Sequence, residues 1–365
     1  MSDPGGIDVA RVGAWLARDC GLEEPISVRP VAGGRSNLTS VVTDAAGRRV
    51  VVRRPPLSGV LASAHDVVRE GRIMAALAGT AVPVPAVLAS TGEEVAAAVG
   101  SPMLVTAHVD GLVVRDRATA AGLDEASRGR LTSGVVRTLA ALHEVDVDAI
   151  GLGDLARRDG YLARQIARWS AQLAGGSDRP LPVLEELAGV LAATVPEQSG
   201  VTLVHGDYRL DNLIVDPTSG EVRAVLDWEL ATLGDPLADL GTLLAYWGVP
   251  ERSDAVASVI HPDFPTVLRG FADPAELVAG YAAARLLDVE ELAAGLRPFL
   301  AFAWFRIACI LEGVRVRTAA GAYGPVGEAA RAELALFATL VPELGERALG
   351  VARRQGPLGF DHELT

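Results

Sequence analysis

Lysine is absent from this chain. All 33 basic residues are arginines, so every cationic role falls to a planar, permanently charged guanidinium rather than to a compact ammonium. The plainest reading is arginine-favouring codon usage, and the absence matters chemically only where a pattern asks for a lysine. Cysteine is scarce too: Cys20 and Cys309 lie far apart, which excludes a disulfide framework and a cysteine-rich metal pattern and fits a reducing cytoplasm. No apolar run is long enough to span a bilayer. The start, MSDPGGIDVARVG, has no basic stretch leading into an apolar one, so no signal peptide is expected. There is no low-complexity tract and half the residues are apolar, so disorder is expected only at the ends. No G-x-x-x-x-G-K-[ST] occurs, which excludes a Walker-type ATPase, and no A-P-E occurs, which argues against a protein kinase.

Charge is spread unevenly. Residues 1–140 hold 15 arginines and 14 acids, whereas residues 141–365 hold 18 arginines and 32 acids, so the net charge of −13 resides in the second part. An acidic surface argues against nucleic acid, whose affinity rests largely on phosphate neutralisation. It would suit a cationic substrate, but acidity for solubility alone is the stronger reading. At 365 residues the chain is long enough for one large domain or two modest ones with a substantial core.

What is present is concentrated in residues 203–240, LVHGDYRLDNLIVDPTSGEVRAVLDWELATLGDPLADL. An apolar run ends at His205-Gly206-Asp207. Asn212 follows, then the apolar Leu213-Ile214-Val215, a turn of strong turn formers at Asp216–Gly220, and a second apolar run that delivers Asp227. The pattern is a hairpin with a carboxylate before it, an amide at its start and a carboxylate at its end. Phosphoryl transfer from a nucleotide needs such a set: one Asp to orient and deprotonate an attacking hydroxyl, and an Asn and a second Asp to hold Mg²⁺ on the phosphates. A plain hairpin with polar ends would not require so long an ordered pattern as H-G-D-x-x-x-x-N, strand, turn, strand, D-W-E.

This stretch resembles the signature of the aminoglycoside phosphotransferase family, a branch of the protein-kinase-like fold in which H-G-D stands for H-R-D and D-x-[DE] for D-F-G. HGDYRLDN, GDPLADLGTLLAYW and FRIACILEGVRVR resemble in particular the phosphotransferase modules related to those fused to acyl-CoA dehydrogenases, some of which are thought to phosphorylate hydroxyacyl substrates. The resemblance implies Asp207 as catalytic base, Asn212 and Asp227 as Mg²⁺ ligands, and His205, Asp235 and Asp239 as structural support. Trp228 and Glu229 are expected to pack and anchor the loop, and Asp235-Pro236 to open a helix as its N-cap and first residue.

The rest of the chain fits this frame. Residues 7–20 read as an amphipathic helix stopped by Gly21. Strands follow at Ile26–Val31, Leu38–Thr43 and Arg49–Arg53, with a glycine turn at residues 32–37. Gly33, Gly34 and Ser36 there suit a lid over phosphates, because glycine lets backbone N–H groups approach closely. The kinase pattern places a lysine on the third strand. This chain has Arg53, preferred over Arg54, which would face the other way; related modules commonly read V-L-R-R-P-P here. Ser63–Ala78 reads as a helix ended by Gly79. Glu70 shares its apolar face, a costly place for an unpaired carboxylate, so pairing with Arg53 is expected. Strands near Ala86–Ala89 and Met103–Ala107 lead into a hinge, where Thr106 to His108 would meet a purine through main chain and Gly111 would open the second lobe.

Beyond the hinge, Asp124–His143 reads as a core helix. Two further helices are expected in residues 158–195, a loop near the substrate mouth at 248–272, helices at 273–287, 290–317 and 325–340, and a frayed tail from Arg353. The expectation is an α+β, two-lobed protein-kinase-like fold: residues 1–107 form a nucleotide-binding lobe with a small antiparallel sheet and a leading helix, and residues 108–365 a larger helical catalytic lobe. The activity implied is transfer of the γ-phosphoryl of ATP, or of GTP, to a small-molecule hydroxyl. A hydroxyacyl-type acceptor comes first, an aminoglycoside or other cationic alcohol second, and a pseudokinase that binds nucleotide without turnover is the alternative of another class. No nucleic-acid or membrane partner is expected, and nothing in the sequence fixes an oligomeric state.

Overall fold

The computed structural model describes residues 9–31, 37–55, 66–247, 264–322, 327–354 and 358. Five strands form one antiparallel sheet: β1 (Ser27–Pro30), β2 (Leu38–Thr43), β3 (Arg49–Arg54), β4 (Val87–Ser90) and β5 (Leu104–Ala107), in the order β1-β2-β3-β5-β4. The valine-rich β2 and β3 are joined in tight register, with Val41 opposite Val51 and Thr39 opposite Arg53. The two-residue period of β3 sends Val50 and Val52 to one face. There they pack with Val42, Val105 and Met103 under Val12, Trp15 and Leu16 of α1 (Val9–Cys20). The leading helix is thus a brace on the back of the sheet; residues 7 and 8 lie outside the described set.

Arg53 points to the opposite face, toward α2 (Val67–Leu77). Asp66 caps α2 by accepting the Arg69 N–H at 2.9 Å. The helix approaches the sheet closely at Gly71, where a Cβ would lie 2.7 Å from Leu104 Cδ1. Its Ile73, Met74 and Leu77 belong to the core that continues through the helical lobe. A seven-residue α3 (Glu93–Val99) between β4 and β5 was not foreseen. Beyond β5, the Leu112 and Val215 backbones exchange two hydrogen bonds of 2.8 Å, tying the hinge to the hairpin of the second lobe. Gly111 is required there, since a Cβ would meet Ile214 Cγ2 at 2.4 Å and the Val215 carbonyl at 2.7 Å.

The second lobe is helical: α4 (Arg117–Ala121), α5 (Glu125–His143), α6 (Tyr161–Gly176), α7 (Pro182–Ala193), α8 (Leu237–Ala245), α9 (Pro274–Ala284), α10 (Val289–Ala319) and α11 (Glu328–Arg353). Two small ladders, β6 (Thr202–Val204) with β9 (Thr232–Gly234) and β7 (Leu213–Val215) with β8 (Val222–Val225), sit on it. α10 is buried nearly all round, with Phe299, Trp304 and Phe305 at its centre. Two expectations fail here. The last helix does not stop at residue 340 but runs through Pro342 to Arg353. A proline in a helix interior removes a hydrogen bond and costs roughly 3 kcal/mol, but Val341, Leu344, Ala348 and Leu349 are buried on that same stretch, which offsets it. Nor is all of the tail frayed: Leu358 is buried and its N–H reaches the Ala293 carbonyl at 3.3 Å. Among the described residues no helix is long and apolar enough to cross a membrane.

Candidate active site

The loop after β6 carries His205-Gly206-Asp207, and its backbone is held from beneath. Asp239, fully buried on α8, accepts the His205 N–H at 2.6 Å and the Gly206 N–H at 2.8 Å. His143 lies 3.3 Å from the same carboxylate and its other ring nitrogen meets the Tyr281 hydroxyl at 2.7 Å. Gly206 adopts φ +84°, and a Cβ would lie 2.8 Å from the Leu230 carbonyl, so a side chain there is excluded both by conformation and by space. The His205 Nδ1 accepts the Asp207 N–H at 3.2 Å and its Nε2 donates to the Leu226 carbonyl at 2.8 Å. The ring therefore spans the two loops that carry Asp207 and Asp227. Tyr208 fixes the next residue, donating to the Val135 carbonyl at 2.8 Å.

Asp235 braces the same region from the side. Its carboxylate accepts from Ser199 N and Oγ at 2.7 Å each and from Leu237 N at 3.0 Å. The helix itself begins one residue later than expected, with Pro236 in the cap position rather than at the first helical turn. Asp235 still satisfies an early helical N–H, so the shift changes the label and not the physics.

The Asp207 side chain is 22% exposed. Its Oδ2 accepts from Asn212 Nδ2 at 3.0 Å and from Arg209 Nε at 3.3 Å, while Arg306 Nη2 stands 3.9 Å from Oδ1. Burial alone would raise this carboxyl, but Arg209, Arg306, His205 and the Asn212 hydrogen bond outweigh it and hold Asp207 below the usual carboxylate value. The hairpin then sets Asn212 beside Asp227: the Leu226 N–H donates to the Asn212 carbonyl at 2.8 Å, and Asp227 is the next residue.

Asp227 has φ 66° and ψ 62°, a left-handed backbone that Asp tolerates better than most side chains. Arg53 holds it across the lobes, donating from Nη2 to Asp227 Oδ1 at 2.8 Å and from Nη1 to Glu70 Oε1 at 2.7 Å. Glu70 Oε1 also accepts the Trp228 N–H at 3.3 Å, while its buried Oε2 has no partner among the described residues. Burial, with Asp227 nearby, pushes Glu70 up to about 7 against the pull of Arg53. Trp228 is fully buried, and Glu229 accepts from Asn37 Nδ2 at 3.3 Å, which anchors this loop to the residue just before β2. Gly33, Gly34 and Ser36 lie outside the described residues.

At the hinge, Thr106 is buried and paired with Val51 and Val87. The Ala107 N–H is engaged by the Ala86 carbonyl at 2.8 Å. His108 sits with Nδ1 3.7 Å from Asp110 Oδ1, and burial together with Arg49 holds its imidazole below the usual histidine value.

Asn212 and Asp227 offer hard oxygen donors side by side. Among the described residues no group of three His, Cys, Asp or Glu forms a closed metal cage. An amide oxygen and a carboxylate fit Mg²⁺, which binds through one or two protein oxygens together with substrate phosphates. The Asn212 amide nitrogen is committed to Asp207, which turns its oxygen elsewhere; the assignment follows from the hydrogen bonds. Three groups around Asp207 escaped the sequence reading: Arg209, Arg306 and Tyr246. Arg209 lies inside HGDYRLDN and Arg306 inside FRIACILEGVRVR, so position within the motifs was the available signal.

A family model, the phosphotransferase enzyme family, matches residues 27–294. The chain belongs to that family and is a phosphotransferase. Its curated relatives are longer proteins. It is 34% identical over 345 residues to acyl-CoA dehydrogenase family member 10 of Mus musculus, covering 91% of this chain and 30% of the relative. It is 32% identical over 341 residues to family member 11 of Gallus gallus, covering 93% and 42%. The chain thus spans well under half of these relatives. Among solved structures, a Ralstonia eutropha protein assigned to the aminoglycoside phosphotransferases superposes with a TM-score of 0.74 at 31% identity, covering 95% of this chain and 98% of that one. The macrolide 2'-phosphotransferase MphH of Brachybacterium faecium shares the fold at TM-score 0.55 and 20% identity, covering 90% and 98%.

Proposed function

We propose that this chain transfers the terminal phosphoryl group of a nucleoside triphosphate, ATP first and GTP as the alternative donor, to a hydroxyl of a small molecule. The observation that carries the reading is the convergence of Asp207, hydrogen-bonded to Asn212, with Asp227, clamped by Arg53 and Glu70 from the other lobe. Asp207 receives the acceptor hydroxyl at Oδ1, its less engaged oxygen. As the new O–P bond forms, the O–H proton passes to that carboxylate and the bond to the nucleoside diphosphate breaks. Asn212 keeps the carboxylate in one orientation. Arg53, its fork held at Nη1 by Glu70 and at Nη2 by Asp227, places a fixed positive charge beside the phosphates. Asn212 and Asp227 would hold Mg²⁺, which neutralises charge on the transferred group when bound. The Ala107 N–H is already used, so the purine edge is read from His108 onward; Gly33, Gly34 and Ser36 are the phosphate contacts of this reading.

Hydroxyacyl-type metabolites are the first acceptor class, supported by the likeness to chains named for acyl-CoA dehydrogenation. Aminoglycosides come second, supported by the Ralstonia neighbour. The test is Mg-ATP-dependent ADP release across hydroxyacyl-CoAs, hydroxy acids, sugars, amino alcohols and aminoglycosides, with Asp207→Asn as control. Acceptor-dependent release that the variant abolishes is the expected result. Nucleotide binding with no transfer to any acceptor would point instead to a nucleotide-binding protein without turnover.

A further inference from the structure

The groups that flank Asp207 from the helical lobe are cations. Arg209 has Nε 3.3 Å from Asp207 Oδ2 and Nη1 3.1 Å from Asp211 Oδ2, and its guanidinium lies 4.7 Å from the centroid of the Tyr246 ring. Among the described residues nothing accepts a hydrogen bond from its Nη2. Arg306, nearly buried on α10, approaches the other oxygen of Asp207 at 3.9 Å, donates to the Gly206 carbonyl and reaches Thr242 Oγ1 at 3.4 Å. A substrate that presents a hydroxyl to Asp207 therefore comes beside a stacked, pre-oriented guanidinium whose Nη2 has no acceptor among the described residues. An ammonium in that place would meet two arginines, and the nearest carboxylates, Asp207 and Asp211, are already paired. Among these four groups the two guanidiniums balance the two carboxylates, so no net negative charge is left to favour a cation.

The geometry assigns to Arg209 the selection of the acceptor: it takes a carboxylate or comparable anionic group carried close to the reacting hydroxyl, with Arg306 adding a field of the same sign. The inference rests on Asp207 being the group that receives the acceptor hydroxyl. An arginine held in one orientation by stacking forms strong charge-assisted hydrogen bonds with little further ordering.

The test uses the full chain and a series of straight-chain hydroxy acids with increasing separation of hydroxyl and carboxylate, each beside its own carboxamide and the matched amino alcohol. Two readouts are taken: kcat/KM with Mg-ATP, and equilibrium binding in the presence of Mg²⁺ and a non-hydrolysable ATP analogue. At least one acid should exceed its amide by about tenfold to a hundredfold in both. Arg209→Gln keeps much of the length without the charge and should bring that ratio close to one, raising KM for the acid more than it lowers kcat. Arg209→Lys should restore part of it. Amides or amino alcohols that bind as well as the acids overturn the assignment, and so does an equal loss for acid and amide in Arg209→Gln, which would place the guanidinium on the phosphates. If no acceptor is phosphorylated, the kinase reading fails, and the acid-to-amide binding ratio still decides the role of Arg209.

Discussion

Asp207 and Asp227 stand on two differently built loops linked through Asn212. The Asp207 loop is tied down within a single lobe: Asp239 holds its backbone, His143 and Tyr281 stand behind Asp239, and Tyr208 pins it to α5. The Asp227 loop sits in a left-handed turn, and the charge that holds its carboxylate, Arg53, comes from the other lobe. On the proposed reading, the difference separates a base whose position is set by packing from a phosphate-side carboxylate whose position depends on how the lobes meet. Substitutions in the first region should damage fold and chemistry together when they strike the support, whereas those in the second should damage nucleotide binding with little loss of stability.

The largest expected effect divides the pair directly. Asp207→Asn removes the proposed proton acceptor and should lower kcat by about 10²- to 10⁴-fold, with nucleotide affinity nearly unchanged. Asp227→Asn keeps the left-handed turn, which Asn also tolerates. It should leave the melting temperature within about a degree or two of wild type, yet weaken Mg²⁺-dependent nucleotide binding about tenfold or more. Calorimetric binding and thermal melts on the two variants check both statements. An equal loss of nucleotide affinity in the two would dissolve the distinction.

Support is next. Asp239→Ala leaves the His205 and Gly206 N–H groups and the His143 ring without their buried acceptor, and an unsatisfied buried donor costs about 1–3 kcal/mol. A loss of roughly 3 kcal/mol in urea denaturation is expected, with activity falling as well because Asp207 is displaced. Arg53→Lys acts on the other side. A single ammonium cannot reproduce the fork that spans Glu70 and Asp227, so nucleotide Kd should rise about tenfold while stability changes by less than about 1 kcal/mol. A gain in affinity would mean that this site is built for a point charge after all.

How far the sequence could be read follows the same division. HGDYRLDN and LDWE announce Asp207, Asn212 and Asp227 because residue type and spacing carry the chemistry. The alternation of β3 separates Arg53 from Arg54, because the period of a strand is a local property. What was not legible depends on distant segments. Nothing near Asp207 announces that Arg306, on a helix 99 positions later in the numbering, comes to its side, nor that Tyr281 stands behind Asp239. α3 was missed because GEEVAAAV has too little apolar periodicity to show a face. The course of α11 through Pro342 contradicts local propensity and is decided by burial.

The smallest prediction concerns pH and sharpens the contrast between the two anchors. Glu70 is buried, with one carboxylate oxygen lacking a partner among the described residues, and its carboxyl is pushed up to about 7 from an ordinary 4.5. The folded state therefore holds a proton that the unfolded state has released across this window. The associated stability is complete below about 4.5 and is lost as pH rises through about 7. Between pH 6 and pH 8 the nucleotide-free wild type should lose about 1 kcal/mol that Glu70→Gln does not lose, measured as the difference between their urea midpoints at the two pH values. Asp207, held below the usual carboxylate value by its arginines, contributes no slope in that range, so Asp207→Asn should track the wild type there. Parallel curves for wild type and Glu70→Gln would show that Arg53 keeps Glu70 ionised throughout. The anchor of Asp227 would then be as insensitive to pH in that range as the packing beneath Asp207.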